Sequence, residues 1–178
     1  MSKMFTEKFR SLNISVLTVS DTRTEENDTS GQYLVDSITS SGHKNSDKKI
    51  VIDNIYKIRE IVSHWIADDR TQVIIVTGGT GFTERDSTPE AIAPLFDKTI
   101  NGFGELFRQL SYETIGTSTI QSRAIAGLAN DTLIFCVPGS TNACRQAWEQ
   151  IICQQLDSRH KPCNFAMRLK KVSDGAGN

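Results

Sequence analysis

The most regular stretch of the chain begins at Asn54, where Ile55, Ile58, Ile61, Val62, Trp65 and Ile66 recur at intervals of three and four, with Lys57, Arg59, Glu60 and His64 between them. That period gathers the apolar side chains into one stripe and predicts an amphipathic helix. The runs on either side have no such period. Ile14 to Ser20 is a short β-branched run that predicts a buried strand, and Val73 to Thr77 is a continuous apolar run of the kind buried on both faces. Lys49-Ile50-Val51-Ile52 predicts another strand, ending at Asp53. A helix capped by Thr29 or Ser30 fits between the first two strands, with Tyr33, Leu34 and Ile38 on its inner face and Gly42 near its end. Strand, helix, strand, helix, strand predicts a mostly parallel sheet covered on both sides, a three-layer α/β/α sandwich.

Further along, Ser87-Thr88-Pro89-Glu90 has the form of a helix start, with Thr88 as cap and proline in the first turn. A helix is expected over Gly104 to Tyr112, and a hairpin from Ser122–Leu128 and Thr132–Val137 around Ala129-Asn130-Asp131. Pro138-Gly139-Ser140 opens a final helix carrying Ala147, Trp148, Ile151, Ile152 and Leu156. The expected organisation is one domain over residues 14–169, after an N-terminal extension (1–13) and before a flexible, solvated tail (170–178).

Composition narrows the class. With 20 Lys+Arg against 21 Asp+Glu the net charge is -1, which supplies no global field for nucleic acid or an anionic membrane. Every apolar run falls far short of the roughly 20 residues that span a bilayer. Met1 to Arg10 lacks the apolar stretch of a signal peptide, so a cytoplasmic location is expected. Cys136, Cys144, Cys153 and Cys163 never form C-x-x-C, and His43, His64 and His160 stand singly; neither a disulfide framework nor a zinc site is predicted.

Candidate chemistry follows from the sheet. In an open parallel sheet, ligands bind outside the carboxyl ends of the strands, where Ser20-Asp21, Asp53, Thr77 to Gly81 and Pro138-Gly139-Ser140 all fall. Gly78, Gly79 and Gly81, with Thr80 among them, either cradle a phosphate with their amides or form a tight turn. No Gly-Lys-Ser/Thr follows, so this is not a Walker A loop. Asp53 and Asp86 form a possible carboxylate pair for a hydrated magnesium ion bridging phosphates; alternatively Asp53 caps a helix and Asp86 caps another or pairs with Arg85. Asp21 and Asp28 to Gly31 make a polar loop suited to an anion or to capping. Glu105 either accepts hydrogen bonds from a nitrogen-rich ring or is a solvated helix residue, and Ser111 and Ser122 are by pattern ordinary polar residues.

Thr77-Gly78-Gly79-Thr80-Gly81 followed by Arg85-Asp86-x-Thr88-Pro89-Glu90-Ala91 resembles the molybdopterin-binding family of molybdenum cofactor biosynthesis. Ser20-Asp21, Asp28-x-Ser30-Gly31, Gly102-Phe103-Gly104-Glu105, Ser122-Arg123-Ala124 and Pro138-Gly139-Ser140 extend the resemblance from about Ile14 to about Leu156. It implies a trimer or hexamer, other proteins of the pathway as partners, and a pocket for molybdopterin, a pterin bearing a dithiolene and a terminal phosphate. In adenylylating members the reaction is ATP plus molybdopterin giving adenylylated molybdopterin and pyrophosphate. The resemblance assigns Asp53 and Asp86 to an essential acidic pair holding Mg2+ on ATP. It assigns the glycine loop to phosphates, Ser111 and Ser122 to the molybdopterin side, and Glu105 to the pterin. The pattern is closest to the MoaB branch, and Cys136 stands where adenylylating members carry Asn; a non-catalytic molybdopterin carrier is the alternative implied.

Overall fold

The strands that read as continuous apolar runs occupy the middle of the sheet. The computed structural model describes residues 6–172, and in it β1 (Asn13–Val19) and β3 (Val73–Thr77) lie side by side, flanked by β2 (Lys44–Val51) and β6 (Thr132–Val137). All three of these contacts are parallel; β5 (Ile125–Ala129) then runs antiparallel to β6, and a two-residue β4 (Lys98–Thr99) pairs antiparallel to β5, giving the order β2-β1-β3-β6-β5-β4.

Alternation along the inner strands divides the core into two. Ile14, Val16, Val73, Ile75, Leu133 and Phe135 face α1 (Thr29–Ser40), α4 (Asn101–Ile115) and the C-terminal helix, where Leu34, Ile38, Phe103, Phe107 and Trp148 meet them. Leu17, Val19, Ile74, Val76, Ile134 and Cys136 face α2 (Ile55–Ala67) and α3 (Thr88–Ile92), meeting Ile58, Val62, Trp65 and Ile92. A strand buried on both faces needs apolar residues at consecutive positions, which is why these runs show no period of two. The described residues form a six-stranded, mostly parallel α/β/α sandwich.

Several boundaries differ from expectation. β2 starts at Lys44, five residues before Lys49, because as an edge strand it pairs only with β1 and its first half can be polar. The first helix is capped by Asp28, not Thr29 or Ser30: its Oδ1 accepts from Gly31 N at 2.9 Å while Thr18 Oγ1 donates to its Oδ2 at 2.8 Å. Thr88 is likewise inside α3, after Ser87, and its hydroxyl donates to Gly78 O at 2.8 Å. The helix expected over Gly104–Tyr112 extends to Asn101–Ile115 and continues as a 3-10 segment, Gly116–Gln121.

The hairpin forms around Asn130 and Asp131, both at positive φ (48° and 54°), as a two-residue type I′ turn requires. The final helix is α5 (Thr141–Ala147), a π turn over Trp148–Ile152, and α6 (Cys153–Leu156). The first five residues of the expected extension and 173–178 of the expected tail lie outside the described residues. Within the remainder of those two segments, Leu12 is fully buried and Lys170 Nζ donates to Ile66 O and Asp68 O at the end of α2. Among the described residues no helix is long and apolar enough to cross a membrane.

Candidate functional site

The connections from β1 and β3 leave the sheet in opposite directions, one toward β2 and the other toward β6, so a crevice opens between their carboxyl ends. A cavity of 870 Å³ occupies that position. Its walls are the end of β1 (Thr18 to Ser20), the glycine loop (Thr77 to Gly81), Pro138 to Ser140, one side of α4 and its 3-10 extension, and α5.

The glycines are there because the loop is pressed between neighbours. Gly78 has φ +100°, and a Cβ on it would sit 2.2 Å from Val19 O. At Gly79 (φ +64°) a Cβ would meet Thr88 Oγ1 at 2.4 Å and Asp53 Oδ2 at 2.6 Å; at Gly81 it would fall 2.7 Å from Asp86 Oδ2. The missing side chains therefore let both carboxylates close onto the loop backbone. Gly139 packs on the same loop, its Cβ position 3.1 Å from Gly78 Cα.

Asp53 and Asp86 are held differently. Ser87 donates to Asp53 Oδ1 through its amide (3.1 Å) and through its hydroxyl in a very short contact. Burial raises the Asp53 pKa against those hydrogen bonds, and the negative charges of Asp86 and Asp21 add to the rise. Asp86 is also pushed up by burial, but the hydroxyl (2.6 Å) and amide (2.9 Å) of Thr83, the Gly81 amide and Arg123 outweigh it and hold the carboxyl below its ordinary value. Asp21 accepts from Asp53 N at 3.0 Å and pairs with Arg85 at 2.7 Å, which lowers its pKa. Two carboxylates, each with one oxygen committed to serine or threonine donors, are a hard-oxygen donor set that fits a partly hydrated magnesium ion. Among the described residues no third His, Cys, Asp or Glu joins them in a metal-holding group, which leaves the other positions to water and phosphate.

Of the residues expected at the site, Ser20, Thr77, Gly78, Gly79, Thr80, Gly81, Asp86, Ser111, Ser122, Pro138, Gly139 and Ser140 line the cavity. Asp53 and Asp21 do not line it: Asp53 Oδ2 stands against Gly79 of the loop, and Asp21 accepts from the Asp53 amide. Many of the hydroxyls already have structural work: Ser20 Oγ accepts from Thr22 N and Arg23 N, Ser140 caps α5 by accepting from Ala143 N, and Ser111 Oγ donates to Phe107 O while accepting from Gln146 Nε2. Ser122 Oγ is different, buried with no hydrogen-bond partner among the described residues. Glu105 is exposed on α4 and does not line the cavity, since the inward face of that helix is taken by Phe103, Gly104, Phe107 and Ser111. Cys136 is fully buried on the α2 side of the sheet, its thiol pushed up by burial, and does not reach the cavity either.

Arg123 matters more to the loop than its pattern indicated. Its guanidinium donates to Gly81 O (2.7 Å), Thr80 O (3.4 Å) and Asp86 O (2.8 Å), pairs with Glu90 and covers the Phe82 ring at 5.1 Å. Three loop carbonyls are thereby turned toward one cation. Arg23, Asn142, Arg145, Gln146, Glu149 and Gln150 also line the cavity. The only trace of the α5 group in the sequence is the i,i+4 spacing of Arg145 with Glu149 and of Gln146 with Gln150.

Residues 15–158 match the protein family described as "Probable molybdopterin binding domain". The Molybdenum cofactor biosynthesis protein B of Escherichia coli is 60% identical over 171 residues, which cover 96% of this chain and all (100%) of that protein. A crystal structure of a Molybdenum cofactor biosynthesis protein B superposes with a TM-score of 0.80 at 42% identity, covering 83% of this chain and 92% of that one. The tungsten cofactor synthesizing protein MoaB from Pyrococcus furiosus gives a TM-score of 0.73 at 36% identity over 80% and 91% of the two chains.

Proposed function

Because the chain belongs to the molybdopterin-binding family of molybdenum cofactor biosynthesis, we propose that its cavity binds molybdopterin and that it adenylylates this ligand with Mg-ATP, releasing pyrophosphate. The observation that carries the reading is the closure of Asp53 and Asp86 onto a glycine loop that lines the switch-point cavity. Attack of the molybdopterin phosphate on the α-phosphorus of ATP needs no nucleophile from the protein, so the work left to the chain is positioning and charge. With the Gly78 amide taken by Val137 O and the Gly81 amide by Asp86, the amides of Gly79 and Thr80 receive phosphate oxygens, and the orphaned Ser122 hydroxyl offers a hydrogen bond at the cavity wall. Asp53 and Asp86 would hold magnesium, which when bound offsets charge on the leaving pyrophosphate. Assembly into a trimer or hexamer belongs to the same reading; exposed Tyr112, Ile115 and Ile120 beside the cavity are apolar surface that contacts between copies would cover.

Incubation with molybdopterin and Mg-ATP should yield adenylylated molybdopterin, followed by chromatography of the product. Asp86→Asn is expected to cut product formation roughly a hundredfold or more while molybdopterin binding persists. Binding without any product from the unmodified protein would make it a carrier and not an adenylyltransferase.

A further inference from the structure

The α5 side of the cavity takes no part in the phosphate chemistry above. Glu149 lies nine residues beyond Ser140, on the order of 13 Å further along the helix at an ordinary helical rise. It sits in the π turn, which re-aims side chains within a helix and recurs at functional sites. Here Trp148, Ile151 and Ile152 stay in the core while Glu149 and Gln150 face the cavity.

Three side chains from two helices meet at this point. Tyr33 of α1 donates its hydroxyl to Glu149 Oε1 at 3.0 Å, and the Arg145 guanidinium lies over the Tyr33 ring at 5.2 Å and 4.0 Å from the same Oε1. Glu149 Oε2 receives no hydrogen bond from the described residues, so a carboxylate fixed at one oxygen offers its other beside a guanidinium held by stacking. Gln146, one residue on, is committed to Ser111 and Phe107 O. An acceptor and a planar donor side by side match a ring edge that carries adjacent N–H donors next to a carbonyl oxygen.

We propose that Glu149 and Arg145, steadied by Tyr33, read the 2-amino-4-oxopyrimidine edge of the pterin, Glu149 accepting from the ring N–H and 2-amino group and Arg145 donating to the 4-oxo oxygen. This rests on the molybdopterin reading and moves the pterin contact from Glu105 to the π turn. It also orients the ligand: pterin against α5, phosphate toward the glycine loop.

The test is calorimetric titration with two phosphorylated probes, 6-(hydroxymethyl)pterin phosphate and its lumazine counterpart with oxo in place of the 2-amino group. The unmodified protein should bind the pterin about tenfold or more tightly than the lumazine, because a site built to accept from an N–H leaves polar groups unpaired with an analogue that lacks it. Glu149→Gln should bring the pterin-to-lumazine ratio to near one while Mg-ATP binding and the urea midpoint stay unchanged; Tyr33→Phe, which frees the carboxylate, should lose part of the ratio. Retention of the full ratio in Glu149→Gln, or equal binding of the pterin and lumazine phosphates by the unmodified protein, overturns this assignment and leaves the molybdopterin reading standing. No binding of the pterin phosphate by the unmodified protein overturns both.

Discussion

Gly78→Ala tests the account of the glycine loop most directly. The new methyl would lie 2.2 Å from Val19 O, the carbonyl that ends β1, on a backbone with φ +100°. Gly78 has no room to retreat, because its amide donates to Val137 O at 3.0 Å and its carbonyl accepts from Thr88 Oγ1 at 2.8 Å. Holding an L-residue at that φ costs roughly 1–2 kcal/mol. Opening the contact to an ordinary separation means parting the ends of two central strands, an overpacking strain of about 1–3 kcal/mol. Together these give a loss of about 2–5 kcal/mol. The comparison is Gly102→Ala, in the first turn of α4, where a Cβ would meet nothing within 4 Å. That change removes a glycine from a helix and should stabilise by up to about 1 kcal/mol. Urea unfolding of both variants at one fixed protein concentration, with fluorescence as probe, reads the difference. If Gly78→Ala unfolds at the same urea concentration as Gly102→Ala, the loop is not locked between β1 and β6 and the reasoning fails.

Arg123→Ala should weaken Mg-ATP binding about tenfold by releasing the loop carbonyls, and Arg123→Lys should restore little of it, since one ammonium cannot serve three carbonyls as a planar fork does; titration with a fluorescent ATP analogue would show unchanged affinity if the clamp is irrelevant. Burial holds the His43 pKa below 6.5, against the pull of Asp157, and its Nδ1 accepts from Leu12 N at 3.2 Å. Because the unfolded chain protonates this imidazole more readily, its contribution to stability is complete above pH 6.5 and is lost as the pH falls from there toward the folded-state pKa. Unfolding midpoints at pH 7.5 and 5.5 should therefore differ in that direction, and His43→Asn, whose amide oxygen can replace the Nδ1 acceptor, should show a smaller difference; an identical pH response in the variant would remove His43 as the cause.

Local order was the readable part of this chain. The apolar runs at Val73–Thr77 and Thr132–Val137 are inner strands, the stripe from Ile55 to Ile66 is α2, and Asn130-Asp131 turns the hairpin, because each depends on the geometry of a few consecutive residues. The polar half of β2 and the two-residue β4 were not readable, since an edge strand draws its stability from backbone pairing with a neighbour far away in sequence.

The site divides along the same line. The glycines, Asp53 and Asp86 could be named from their positions after strand ends, and Glu105 could be named too, but which way α4 turns its carboxylate is set by the side of that helix the core claims. Arg123 reaches a loop more than forty residues away, and Tyr33 meets Glu149 across 116 positions. No local period records such contacts. The sequence by itself determined the layers, the glycine loop and the family; only the packing of α1, α4 and α5 onto one sheet face decided what lines the cavity, because those neighbours are chosen by burial of core side chains and not by their own polar residues.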